Sequence, residues 1–175
     1  MPVLHRKAPK SAAAACAAYI DVIWLPARRT FYGAMLVIDG SGQPLEFVHN
    51  TLEAPAGFLW PKEQVQTLGL AVLCHSLFDT CRREPDILVC KDTFGTAAYG
   101  KEEISPAIPF AQAAEASGEE PASWSWINSP PSPKMATYSL SETLRTHGLA
   151  TEPFARIRQG LREVYPDAGW NEAPA

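Results

Sequence analysis

Three carboxylates occupy positions that call for a chemical explanation. Asp21 interrupts Tyr19-Ile20-Asp21-Val22-Ile23, a stretch otherwise made of strand-forming residues. Asp is depleted in strands, and a carboxylate on a buried face needs a charged or hydrogen-bonded partner. Glu63 follows Trp60-Pro61-Lys62, which reads as a helix start with Pro at the first position. An acid there also simply favours the positive end of a helix. Glu53 stands in the loop before it. Asp92 follows Lys91 and the apolar run Ile87 to Cys90, at a strand end where open α/β sheets place ligand sites and where turns also place acids. Glu142, on a late helix, is a further acid. Hard oxygen ligands of this kind suit Mg²⁺ or Mn²⁺ if they converge, and each has an ordinary structural explanation if they do not.

Other chemistries find less support. His49, on a strand, and His75, in a mostly apolar helix, read as ordinary structural histidines rather than bases or ligands. Gly95 and Gly100 flank Tyr99 without a phosphate-loop spacing, and Ser11, Ser76 and Ser125 lack a nucleophile-elbow context. Cys16, Cys74, Cys81 and Cys90 show no paired ligand spacing, so a structural zinc site is not expected and buried free thiols are. Cys74 and Cys81 share a helix face but stand more than ~10 Å apart along its axis, too far to bridge.

These residues must be positioned by a chain of 175 residues, 46% hydrophobic and 19% charged, with a formal charge of −4. That balance fits one globular domain and excludes collagen-like, coiled-coil and wholly disordered chains. A pI near 5.6 removes the global attraction that a nucleic-acid coat protein needs. It leaves local patches, with Arg28 and Arg29 in a turn as the nucleic-acid-binding candidates and Arg6, Lys7 and Lys10 in the leading tail. No apolar run reaches membrane-spanning length, and the alanines before Cys16 are too few for the ~7–15 residue core of a signal peptide. The chain reads as cytoplasmic.

Residues 1–16 read as a basic, Ala-rich tail and 17–110 as an α/β core. The core opens with three antiparallel strands, over 18–25, 30–38 and 45–49. The turn at Pro26-Ala27-Arg28-Arg29 and the hairpin signal Asp39-Gly40-Ser41-Gly42 separate them. A helix from about 61 to 83 follows, apolar in nearly every direction and so expected to be covered on more than one side. Ile87 to Cys90 reads as a strand buried on both faces, hence parallel to a neighbour. Ile104 to Phe110 suggests an edge strand, because Pro106 and Pro109 weaken it. Of the 16 prolines, six fall between Pro106 and Pro133, and residues 111–134 read as an extended Pro-rich segment. Trp124 and Trp126 within it are expected to dock on the core or on a partner. Helices over about 138–148 and 153–165 close the chain, within a C-terminal region of 135–175.

The order of strand, strand, strand, helix and buried strand, with Asp21 inside the first strand and Asp92 after the fourth, resembles the ribonuclease H-like superfamily. Tyr19-Ile20-Asp21-Val22-Ile23 looks like the first strand of its endonuclease V-type enzymes. The resemblance covers residues 17–110 and implies a mixed sheet with helices. It also implies carboxylates that hold two divalent ions for phosphodiester hydrolysis, activating water and stabilising the leaving oxygen. On this resemblance Asp21, Glu63 (or Glu53) and Asp92 are the catalytic candidates, and Asp21 and Asp92 the metal ligands.

Two functions compete. The preferred one is a non-catalytic ribonuclease H-like subunit or adaptor. It would bind a partner protein through Trp124 and Trp126 in a larger complex that could process nucleic acid. The alternative is a Mg²⁺- or Mn²⁺-dependent nuclease using Asp21, Glu63 and Asp92. A third, a small-molecule sensory domain, requires the strand at 87–90 to pair antiparallel.

Overall fold

A computed structural model describes residues 15–54, 61–91, 108–114 and 122–170. Three long strands come first: β1 (Cys16–Leu25), β2 (Thr30–Asp39) and β3 (Pro44–Glu53). β1 and β2 pair antiparallel over their full lengths, from Cys16 opposite Asp39 to Leu25 opposite Thr30. The turn between them is closed by backbone bonds from Arg28 to Leu25 and from Arg29 to Pro26, with Arg29 at a positive φ of 50°. The β2–β3 turn is organised by Asp39. Its Oδ1 accepts hydrogen bonds from the backbone N–H groups of Ser41 and Gln43 and from the Ser41 hydroxyl, while Gly42 takes the φ of 83° that the reversal requires.

The helix α1 (Lys62–Thr80) returns the chain to β4 (Ile87–Lys91), which lies parallel to β1, with Ala17 beside Ile87 and Ile20 beside Cys90. This parallel pairing confirms the buried-strand reading and removes the condition on which the sensory-domain reading depended. The helix stops at Thr80, short of the expected 83. The Glu46 carboxylate on β3 accepts the backbone N–H groups of Arg82 and Arg83 and holds them outside the helix.

The sheet continues with β5 (Phe110–Ala114), parallel to β4, and β6 (Ser123–Trp126), antiparallel to β5, giving the order β3-β2-β1-β4-β5-β6. The strand expected over 104–110 therefore starts at Phe110 and is interior rather than an edge. Pro109 precedes its first residue, where its carbonyl still accepts from Leu88, and Pro106 lies outside the described residues. The sheet also runs past both expected core boundaries, taking in Cys16 at one end and β5 and β6 at the other. The helices α2 (Ala136–Thr146) and α3 (Glu152–Val164) follow, then a short 3-10 turn at Pro166–Ala168.

Strand alternation divides the core into two layers. On one face Tyr19, Leu36, Ile38 and Val89 pack against Leu140 and Leu144 of α2 and Phe154, Ile157 and Leu161 of α3. On the other, Ile20, Phe31, Met35 and Leu88 pack against Leu70, Leu73 and Leu77 of α1. Gly69 lets α1 approach closely, since a Cβ there would run into the Phe31 ring. The outer side of α1 is less covered than its composition suggested, with Leu68 and Val72 about half exposed. None of the four cysteines forms a disulfide, and burial pushes the Cys74 thiol up to about 12 and the Cys81 thiol up to about 11. No helix among the described residues is long and apolar enough to cross a membrane.

Trp124 and Trp126 lie on β6 and are half-buried against the α2/α3 layer. The Trp124 indole N–H donates to the Ala150 carbonyl at 2.9 Å, its ring sits 6.3 Å from Tyr19, and Trp126 packs edge-on to it at 6.1 Å. Of the two docking places expected for this segment, the described contacts are with the core. Burial of this much ring area predicts that Trp124→Ala destabilises the fold by about 2–4 kcal/mol, read as a lower urea midpoint; an unchanged midpoint would mean that these contacts are dispensable.

Candidate functional site

Asp21 sits in the middle of β1, opposite Ala34 of β2, on the face covered by α3. It is 1% exposed. The small Ala34 side chain leaves room above it, and α3 fills that room with Arg158, whose Nε donates to Asp21 Oδ2 at 3.2 Å. Among the described residues no partner meets the hydrogen-bond geometry at Oδ1 of the same carboxylate. The Arg158 side chain is 26% exposed, so the charge pair runs from the buried strand out to the edge of the helix layer.

Lys91 is one step beyond the Ile20–Cys90 pair of the β1–β4 register, and its charge also acts on Asp21. Burial pushes the Asp21 carboxyl above its ordinary value, and the Arg158 guanidinium is the strongest influence holding it back. Among the described residues, the charges acting on the strand-one carboxylate are therefore cationic.

The other expected acids do not gather around it within the described residues. The Glu63 backbone lies in the first turn of α1, which packs on the opposite face of the sheet from the Asp21 carboxylate; the Glu63 side chain lies outside the described residues, and so does Asp92. Glu53 ends β3 and is exposed. Glu142 is exposed on α2 and paired with Arg145. Among the described residues no three His, Cys, Asp or Glu side chains come together as metal ligands. A divalent ion needs anionic or neutral oxygen donors, and a lone carboxylate already held by a guanidinium, with an ammonium acting on it, is a poor donor set. The described residues do not fit a metal centre.

The remaining candidates have local roles. His49 shares a 2.9 Å hydrogen bond with the Tyr165 hydroxyl, and His75 is exposed on α1. Arg28 donates from Nη2 to the Asp167 carbonyl, tying the β1–β2 turn to the 3-10 turn, and Arg29 is exposed beside it. Arg158 is the residue that sequence reading missed. The buried Asp21 announced the need for a cation, but Arg145, Arg156, Arg158 and Arg162 all lie on the two late helices. Only the docking of α3 selects among them.

Removing one member of a buried pair strands the other, which predicts that Arg158→Met destabilises the protein by about 2–4 kcal/mol, toward the lower part of the usual range because the arginine reaches solvent. The raised Asp21 carboxyl has a further consequence. Native protein retains this proton where unfolded chain has lost it, so the contribution to stability is fully present below pH 3.8 and is lost as pH rises through the folded value. Asp21→Asn should flatten the loss of stability above pH 3.8 in denaturant titrations. A variant whose pH dependence matches the wild type would exclude Asp21 as its source.

No family model matches this chain, and no curated protein matches it either. Among solved structures it is similar to endonuclease V from Streptomyces avermitilis, with a TM-score of 0.58 and 13% identity over 87% of this chain and 83% of that one. Endonuclease V from Bacillus subtilis matches at a TM-score of 0.47 and 11% identity, over 83% and 82% of the two chains. At such low identity the first likeness speaks to fold alone. Together with the strand order, it shows a mixed α/β sheet of ribonuclease H-like architecture resembling that of endonuclease V.

Proposed function

We propose that the protein is a non-catalytic module built on a nuclease-type fold, acting as a subunit or adaptor that binds a partner protein. The observation that carries this reading is the state of Asp21, buried at 1% exposure with Arg158 bound to its carboxylate. In a hydrolytic site that carboxylate would be open to a metal ion and to substrate. Here it ties the central strand to α3, a structural use of the position. Because Trp124 and Trp126 are packed onto the core, this reading places the partner surface elsewhere, where the described residues expose Leu68 and Val72 on α1 and, apart from them, Met135 and Val164.

The alternative, a metal-dependent nuclease using Asp21 with Glu63 and Asp92, draws its support from the likeness to endonuclease V and from the unsatisfied Oδ1. The two readings separate in one assay. Purified full-length protein is incubated with single- and double-stranded DNA, RNA and hybrid substrates in Mg²⁺ or Mn²⁺. The adaptor reading expects no cleavage above that of Asp21→Asn. Cleavage by the wild type that Asp21→Asn abolishes would overturn it and establish the nuclease.

A further inference from the structure

The flank of α3 nearest Asp21 carries more positive charge than the buried pair uses. Arg158 and Arg162 stand four residues apart, so their side chains leave the same side of the helix with Cβ atoms about 6 Å apart. Phe154, Ile157 and Leu161 face the sheet between them and the opposite flank. On that opposite flank Arg156 binds Glu152 and the Gly42 carbonyl, and Gln159 binds Glu163. Both acids of the helix are thus engaged away from Arg158 and Arg162.

Arg158 is also held in an unusual way for a half-buried arginine. Its Nε is fixed by Asp21, itself fixed in the central strand, while Nη1 and Nη2 have no acceptor among the described residues. A guanidinium anchored along one edge presents its outer nitrogens as a pre-oriented planar fork, the geometry that matches two oxygens of a phosphate. Arg162 is exposed one turn further on, placed to add a second charge. The position is near the carboxyl end of the parallel β1–β4 pair, where open α/β sheets bind ligands.

We propose that Arg158, anchored by Asp21, and Arg162 form a metal-independent binding site for a single phosphate group, that of a phosphomonoester. The compact class is favoured over a nucleic-acid tract because tracking a polyanion needs a run of cations, whereas this chain has a net charge of −4 and its described residues offer here two arginines with Lys91 near Asp21. The inference rests on the reading that Asp21 is committed to Arg158 rather than to a metal ion.

The test is calorimetric titration of the full chain with inorganic phosphate and with phenyl phosphate, in EDTA. Saturable binding of both is expected. Arg158→Lys keeps the charge beside Asp21 but loses the fork, and should weaken binding by about tenfold or more. Arg162→Gln changes an exposed residue, leaves folding intact and should weaken binding by about fivefold. No binding of either phosphate, or binding unchanged in Arg162→Gln and in folded Arg158→Lys, would overturn the site while leaving the adaptor reading standing. Equal affinity for oligonucleotides with and without a terminal phosphate would overturn the phosphomonoester in favour of backbone contacts. Phosphate binding that appears only on adding Mg²⁺ would overturn both this site and the non-catalytic reading.

Discussion

The two-sided burial of β1 is the constraint to which the rest of the molecule is fitted. This strand pairs antiparallel with β2 along one edge and parallel with β4 along the other, and its alternating side chains enter both core layers. Ala17, Ala18, Tyr19 and Ile20 are fully buried, so a slip of one residue would exchange the contents of the two layers. The parallel β1–β4 pair in turn demands a crossover, which α1 provides on one face, leaving the other to α2 and α3.

Asp21 is where that constraint meets electrostatics. The same alternation that buries Tyr19 places Asp21 on the α3 side, and removing a carboxylate from water is costly unless a cation comes with it. Arg158 meets the need through one hydrogen bond to Oδ2, while Oδ1 has no partner among the described residues. Such a pair adds less to stability than a well-packed apolar replacement would, but it makes the placement of α3 specific, because breaking it leaves an uncompensated charge. The ribonuclease H-like architecture and the arginine-held carboxylate are thus separable properties, one set by strand order and the other by a single helix contact.

The tryptophans and the long helix show how local pattern can mislead about exposure. Ser-Trp-Ser-Trp in a proline-rich stretch looks like a projecting anchor, yet it supplies an edge strand whose alternate residues close over Tyr19. α1 looks like a helix covered on several sides, yet Leu68 and Val72 face outward. In both cases composition reports how apolar an element is, and its neighbours decide which part of it is hidden. Gly69 reflects the same dependence, since its place inside a helix makes sense only once Phe31 is packed against it.

Strand alternation, turn residues and the continuous apolar run at 87–90 specified the meander, the crossover helix and the parallel strand, because these depend on short-range periodicity and on the chemistry of Asp, Gly and Pro. They also exposed Asp21 as an acid in need of a partner. The identity of that partner was beyond their reach: Arg158 lies 137 residues away, and only the angle and register of α3 on the sheet bring it, rather than Arg156 or Arg162, onto the carboxylate. The inward turn of Trp124 and the interior position of β5 were settled in the same way, by long-range pairing whose geometry no local stretch of sequence contains.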